Sequence, residues 1–105
     1  MSRRRIVVQP RAEAEALAAF DWIAERSPNA ADRWLTGLRE AMAELAEHPL
    51  RHPLAVEASE RFGISIREAL YGKKRRGVYR ILYTVEDDVI SVLAIRHSAQ
   101  DELEP

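Results

Sequence analysis

Val78 to His97 reads VYRILYTVEDDVISVLAIRH, and the reading of this stretch decides the fold. Two runs rich in Val, Ile, Leu and Tyr flank the acidic triplet Glu86-Asp87-Asp88. β-Branched and aromatic side chains suit a pleated, half-buried surface, so two such runs around a polar break predict a β-hairpin. With Asp87 and Asp88 as its loop, Val85 faces Ile90, Tyr83 faces Val92, Ile81 faces Ala94 and Tyr79 faces Arg96. That side is apolar except at its open end. The other side carries Thr84, Ser91, Leu82, Leu93, Arg80, Ile95, Val78 and His97. In this register Arg80 and His97 share a face, because strand side chains alternate with a period of two.

Immediately upstream, Tyr71-Gly72-Lys73-Lys74-Arg75-Arg76-Gly77 reads as a flexible basic turn, with two glycines around four consecutive cations. It is either a solvated loop or a contact for an acidic partner or a phosphate backbone. It is not a P-loop, because the order G-x-x-x-x-G-K-[ST] is absent. Ile64 to Leu70 reads as a strand, with Ile64, Ile66 and Leu70 on one face and Ser65, Arg67 and Ala69 on the other. Residues 49 to 63 read as an irregular loop with a short turn around Val56 to Glu60.

Further back lie two helical patterns. Ser27 is placed as an N-cap and Pro28 as the first helical residue, and Trp34, Leu38, Ala41, Met42 and Leu45 form one stripe. Gly37 interrupts this helix and permits close approach of another helix, while His48-Pro49 ends it. An earlier helix spans roughly 11 to 26, with Ala16, Leu17, Phe20, Ile23 and Ala24 at helical spacing. Trp22 lies off the centre of that stripe, which places it at a sheet edge or in a partner surface. Ile6-Val7-Val8 centres a short first strand over 3 to 9, and Ser98 to Leu103 suits a short terminal helix. The order β-α-α-β-β-β predicts an α/β fold. Two antiparallel helices pack on one face of a small, mainly antiparallel four-stranded sheet, and the other face stays more open.

A chain of 105 residues predicts a single domain, 1–105. The formal net charge of −1 argues against a broad nonspecific nucleic-acid surface. Cysteine is absent, which removes disulfide and thiolate chemistry. No apolar run reaches membrane-spanning length. Arg3-Arg4-Arg5 precedes only Ile6-Val7-Val8, too short for a signal-peptide core, so the expected location is cytoplasmic. His48 and His52 have helical spacing, but Pro49 intervenes and no H-E-x-x-H carboxylate is present. No metal or cofactor is expected, and no sequence feature specifies a homo-oligomer.

Nearly the whole chain resembles the RelE/ParE toxins of bacterial type II toxin–antitoxin modules. The resemblance runs through the alanine-rich helix before Trp22-Ile23, then Ala30-Ala31-Asp32-Arg33-Trp34, then Leu45 with Pro49. It is sharpest at Ile66-Arg67-Glu68, Tyr79-Arg80-Ile81-Leu82-Tyr83 and Val92-Leu93-Ala94-Ile95-Arg96-His97. It implies a toxin neutralised by a cognate antitoxin. RelE-like members of the family cleave messenger RNA on the ribosome, ParE-like members poison DNA gyrase, and some members have lost toxicity.

For RNA cleavage, Arg67 and Arg80 would clamp the phosphate and His97 would move the proton, with Glu68 a weaker base candidate. Ser98 stands where RelE-like nucleases often carry an aromatic residue. The two long alanine-rich helices and near-neutral charge resemble ParE-like members more closely. Ala99-Gln100-Asp101 nonetheless departs from the arginine many of these carry after the histidine. The preferred expectation is therefore gyrase inhibition with no catalytic residue. The binding residues would be Arg67, Lys73, Lys74, Arg75, Arg76, Arg80, Arg96 and His97. A ribosome-dependent ribonuclease using Arg67, Arg80 and His97, or a nontoxic antitoxin-binding relic, is the alternative.

Overall fold

The computed structural model describes residues 4–73 and 77–98. Among them the chain forms β1 (Arg5–Val8), α1 (Pro10–Ala24), α2 (Pro28–Glu47), α3 (Val56–Phe62), β2 (Arg67–Lys73), β3 (Gly77–Glu86) and β4 (Val89–His97). The α/β class and the two-helix layer on a four-stranded sheet are as the sequence predicts. The sheet order is β1-β4-β3-β2. Its two hairpin pairings are antiparallel, while β1 runs parallel to β4, so the sheet is mixed.

Local chemistry sets the element boundaries. Pro10 opens α1, where a missing N–H costs nothing. Ser27 Oγ accepts the Ala30 N–H at 3.2 Å and Pro28 follows, which starts α2 after a turn of only a few residues. Pro49 follows the His48 cap and prevents α2 from continuing. The expected turn near Val56 is a full α3, closed by Gly63 at a left-handed φ of 69°. The 64–70 strand begins later than predicted: β2 starts at Arg67 and takes in Tyr71, Gly72 and Lys73. The basic residues Lys74, Arg75 and Arg76 and the segment 99–105, including most of the expected terminal helix, lie outside the described residues.

The hairpin follows the predicted register only for its distal half. Glu86 pairs with Val89 across the two-residue Asp87-Asp88 loop, and Asp87 supplies a positive φ of 48°. Val85↔Ile90, Thr84↔Ser91 and Tyr83↔Val92 then pair as expected. Between Tyr83 and Leu82 the register shifts, and Leu82 pairs with Ala94. Leu93 is the extra residue of a β-bulge. Beyond it Arg80 faces Arg96 and Tyr79 faces His97. The expected Arg80–His97 face is thus corrected: the two side chains leave the sheet on opposite sides. The bulge tolerates the slip because Ile95, in place of Ala94, now fills the core opposite Ile81.

The principal core lies between α1, α2 and the sheet. It contains Ala12, Leu38, Leu45, Tyr79, Ile81, Tyr83, Ile90, Val92 and Ile95, with Trp34 and Met42 packed against it. Burial of this apolar surface is the main favourable term in folding. The fully buried Tyr83 donates its hydroxyl to the Pro49 carbonyl at 2.7 Å, tying the post-α2 loop to the core. The second face is less open than predicted. α3 covers part of it, and Ala58, Ile66, Leu82 and Ala94 form a small second core. The expected shared face of Ile64, Ile66 and Leu70 splits accordingly, with Ile66 fully buried while Ile64 and Leu70 are exposed.

Candidate functional site

The residues singled out for chemistry fall into separate environments. Arg67 pairs with Tyr83 in the sheet and donates from Nη1 to the His52 carbonyl at 2.7 Å. It braces the loop after α2 against the helix-covered face. Burial raises the Tyr83 phenol above its usual range, and the Arg67 charge partly opposes that rise. His97 pairs with Tyr79, four residues further back along β3. Strand geometry puts the Cα atoms of Arg67 and His97 roughly 16 Å apart, across two strand spacings and four residues of rise. Arg80 sits on the opposite side of the sheet from both. The structure does not bring Arg67, Arg80 and His97 together.

Arg80 and Arg96, paired across β3 and β4, do lie together. Two like charges facing each other are unfavourable unless compensated. Glu68 Oε1 stands 3.5 Å from Arg80 Nε, and Glu15 Oε2 stands 3.3 Å from Arg96 Nη1. Their side chains are only 16 and 13 % exposed, so each guanidinium is largely turned inward onto a carboxylate of the same chain. Glu15 does more. Its Oε1 accepts the Ile95 N–H at 2.9 Å, completing the β4 edge where β1 has ended. Glu68, a base candidate in sequence, serves here as the counter-charge of Arg80.

His97 closes a row of rings. Tyr71 and Trp34 have centroids 6.1 Å apart, Trp34 and Tyr79 5.2 Å, and Tyr79 and His97 5.2 Å. This row joins α2 to three strands. Gly77, at a φ of 94°, gives His97 its room, since a Cβ there would collide with Nε2 of the imidazole. At the other end Tyr71 lies over Gly37 of α2 and donates from its hydroxyl to the Trp34 carbonyl at 2.7 Å. The expected close approach of a helix at Gly37 is thus corrected: the neighbour that Gly37 admits is a strand tyrosine.

Where α1 turns into α2, opposite the open end of β2 and β3, the surface opens into a groove of about 670 Å³. Ile23, Ala30, Trp34 and Tyr71 give it an apolar floor, and Trp22, Arg26 and Arg33 line it as well. Trp22 is 55 % exposed. The Arg26 guanidinium stacks 3.8 Å from the Trp22 ring centre and donates to the Trp22 carbonyl at 2.9 Å. The sequence singles out Trp22 through its position off the helical stripe. Arg26 and Arg33 carry a subtler signal: one follows Trp22 by four residues and the other precedes Trp34 by one. Gly72 and Gly77 also line the groove, so the strands carrying the expected basic binding turn end at its border.

Residues 6–102 match the sequence model of the ParE toxin of type II toxin–antitoxin systems, parDE. No curated protein matches the chain when compared individually.

Proposed function

The chain belongs to the ParE toxin family of type II toxin–antitoxin systems, and on that premise we propose that it is a toxin that inhibits DNA gyrase by binding and is silenced by a cognate antitoxin. Family membership supports the toxin role and implies the antitoxin. The choice of target rests on one observation: Arg67 and His97 are far apart, and Arg80 lies across the sheet from them. A 2′-hydroxyl cleavage needs a proton carrier and phosphate clamps within hydrogen-bond reach of one reacting group. An inhibitor that acts by binding needs only a stable body and a complementary surface. In this reading Arg67, Arg80, Arg96 and His97 hold the scaffold, and the exposed surface does the binding. Lys73 with Lys74, Arg75 and Arg76 remain proposed partner contacts. Gyrase is a cytoplasmic target, and among the described residues no helix is long and apolar enough to cross a membrane.

A paired assay with purified protein tests the proposal. Gyrase is assayed for inhibited supercoiling and trapped DNA breaks, and translating ribosomes for messenger RNA cleavage. Gyrase inhibition that persists in a folded His97→Ala variant is the expected result. RNA cleavage that vanishes in that variant, with gyrase untouched, would overturn it, and inactivity in both assays would point to a nontoxic relic.

A further inference from the structure

Trp22 and Trp34 are the only tryptophans in the sequence, and both line the same groove. We propose that this groove docks an acidic peptide segment of the antitoxin that inserts a large apolar side chain; the inference rests on the toxin–antitoxin reading above.

Shape and floor set the first requirement. A concavity of about 670 Å³ is of side-chain or small-ligand size, and its floor is aliphatic and aromatic. An exposed tryptophan beside such a floor marks surface that gains by being covered. The walls are also held in place before any partner arrives. Tyr71 is bonded to the Trp34 carbonyl, Ser27 caps the start of α2, and Arg26 is pinned on Trp22. A preformed site loses little ordering entropy on binding.

Charge sets the second requirement. Among the described residues, the charged side chains lining the groove are Arg26 and Arg33, both cationic, in a chain whose formal net charge is −1. A local positive rim on a slightly acidic protein selects carboxylates from an approaching partner. Guanidinium forks pair with carboxylates through two parallel donors.

The aromatic geometry favours peptide over single-stranded nucleic acid. Base binding of that kind needs an open ring face on which to stack. One face of Trp22 is taken by Arg26, and Trp34 is packed between Tyr71 and Tyr79. A carboxylate can meet the outward donors of Arg26 without displacing it from the ring.

The test uses the full chain and the purified product of the small reading frame adjoining its gene. Because both tryptophans line the groove, intrinsic fluorescence reports its occupancy directly. The expected result is a stable complex whose formation shifts the tryptophan emission. Arg26→Glu/Arg33→Glu should then weaken binding by about 30-fold and flatten its salt dependence. Trp22→Ala should weaken it by more than about tenfold. These side chains are exposed or on the rim, and circular dichroism melting checks that each variant stays folded. A wild-type complex that the double variant forms equally well overturns the inference and leaves the toxin–antitoxin reading standing. Failure of the wild-type chain to form any complex overturns both. An emission change produced by a 12-residue oligothymidylate and abolished in the double variant would instead make the groove a nucleic-acid site. Trp22-dependent self-association in sedimentation would make it a dimer contact. Either outcome overturns the proposal.

Discussion

His97 stands edge-on to Tyr79, with ring centroids 5.2 Å apart and planes at 85°. The imidazole is the last ring of the row that begins at Tyr71, and it rests against the backbone of Gly77.

Removing that ring therefore acts on stability. His97→Ala should lower unfolding free energy by about 1–3 kcal/mol, from the lost edge contact and the void over Gly77. His97→Phe should restore most of the loss. Urea unfolding measures both, and an alanine variant as stable as the parent would show that the contact contributes nothing.

Gly37→Ala places a better helix former in α2, worth about 1 kcal/mol on propensity alone. The new Cβ meets the Tyr71 hydroxyl, so the variant should instead be destabilised by about 1–2 kcal/mol. Tyr71→Phe removes the colliding oxygen together with its bond to the Trp34 carbonyl. In that background the alanine should cost less than it does beside the intact Tyr71, with the ring carbons at 3.1 and 3.2 Å still to be accommodated. A double-mutant cycle by thermal unfolding reads the coupling, and simple additivity would refute the collision.

Glu15 joins α1 to the sheet through two different interactions, and they can be separated. Glu15→Ala takes the acceptor from the Ile95 N–H and removes one carboxylate from beside Arg96. The expected cost is about 2–4 kcal/mol. Glu15→Gln keeps an acceptor oxygen for Ile95 and should cost roughly half as much. Amide exchange at Ile95 should accelerate strongly in the alanine variant and only modestly in the glutamine one.

All three tyrosines have phenol pKa values raised from 10.0, with burial the leading cause at Tyr71, Tyr79 and Tyr83. A raised folded pKa means that the unfolded chain loses these protons first. The associated stability is complete below about pH 10, the unfolded value, and falls as pH climbs through the higher folded values. Alkaline titration should therefore show tyrosinate absorbance rising together with loss of circular dichroism. Ionisation near pH 10 with the fold intact would contradict the burial of these rings.

The helices and the distal hairpin were legible because their signals are local. Ser27-Pro28, His48-Pro49 and the Trp34–Leu45 stripe depend only on neighbours in the chain. The bulge at Leu93 was not, because an extra residue leaves the apolar alternation plausible in both registers. That single slip moves His97 to the other face from Arg80 and dissolves the apparent pair. β2 began later than its apolar run suggested because Pro53, Leu54 and Ala55 pair with the segment around Ile66 to Glu68. α3 leaves little trace in the sequence, because a seven-residue helix offers too few turns for a periodic signal. The groove has no local signature, because Trp22, Arg33 and Tyr71 meet only through the tertiary fold.

The borders of the sheet are unequal, and this bears on how copies of the chain could associate. On one side β1 contributes four residues, and past it Glu15 occupies the Ile95 amide that another strand would need. On the other side β2 is an outer strand that continues beyond the Pro53–Ala55 cover to Lys73, with Leu70 largely exposed. Endless strand-by-strand growth requires two receptive borders per molecule. With one border short and chemically stoppered, the molecule lacks the second receptive border that such growth needs. The carboxylate that secures a helix to a strand thus also acts as a terminator against fibre formation.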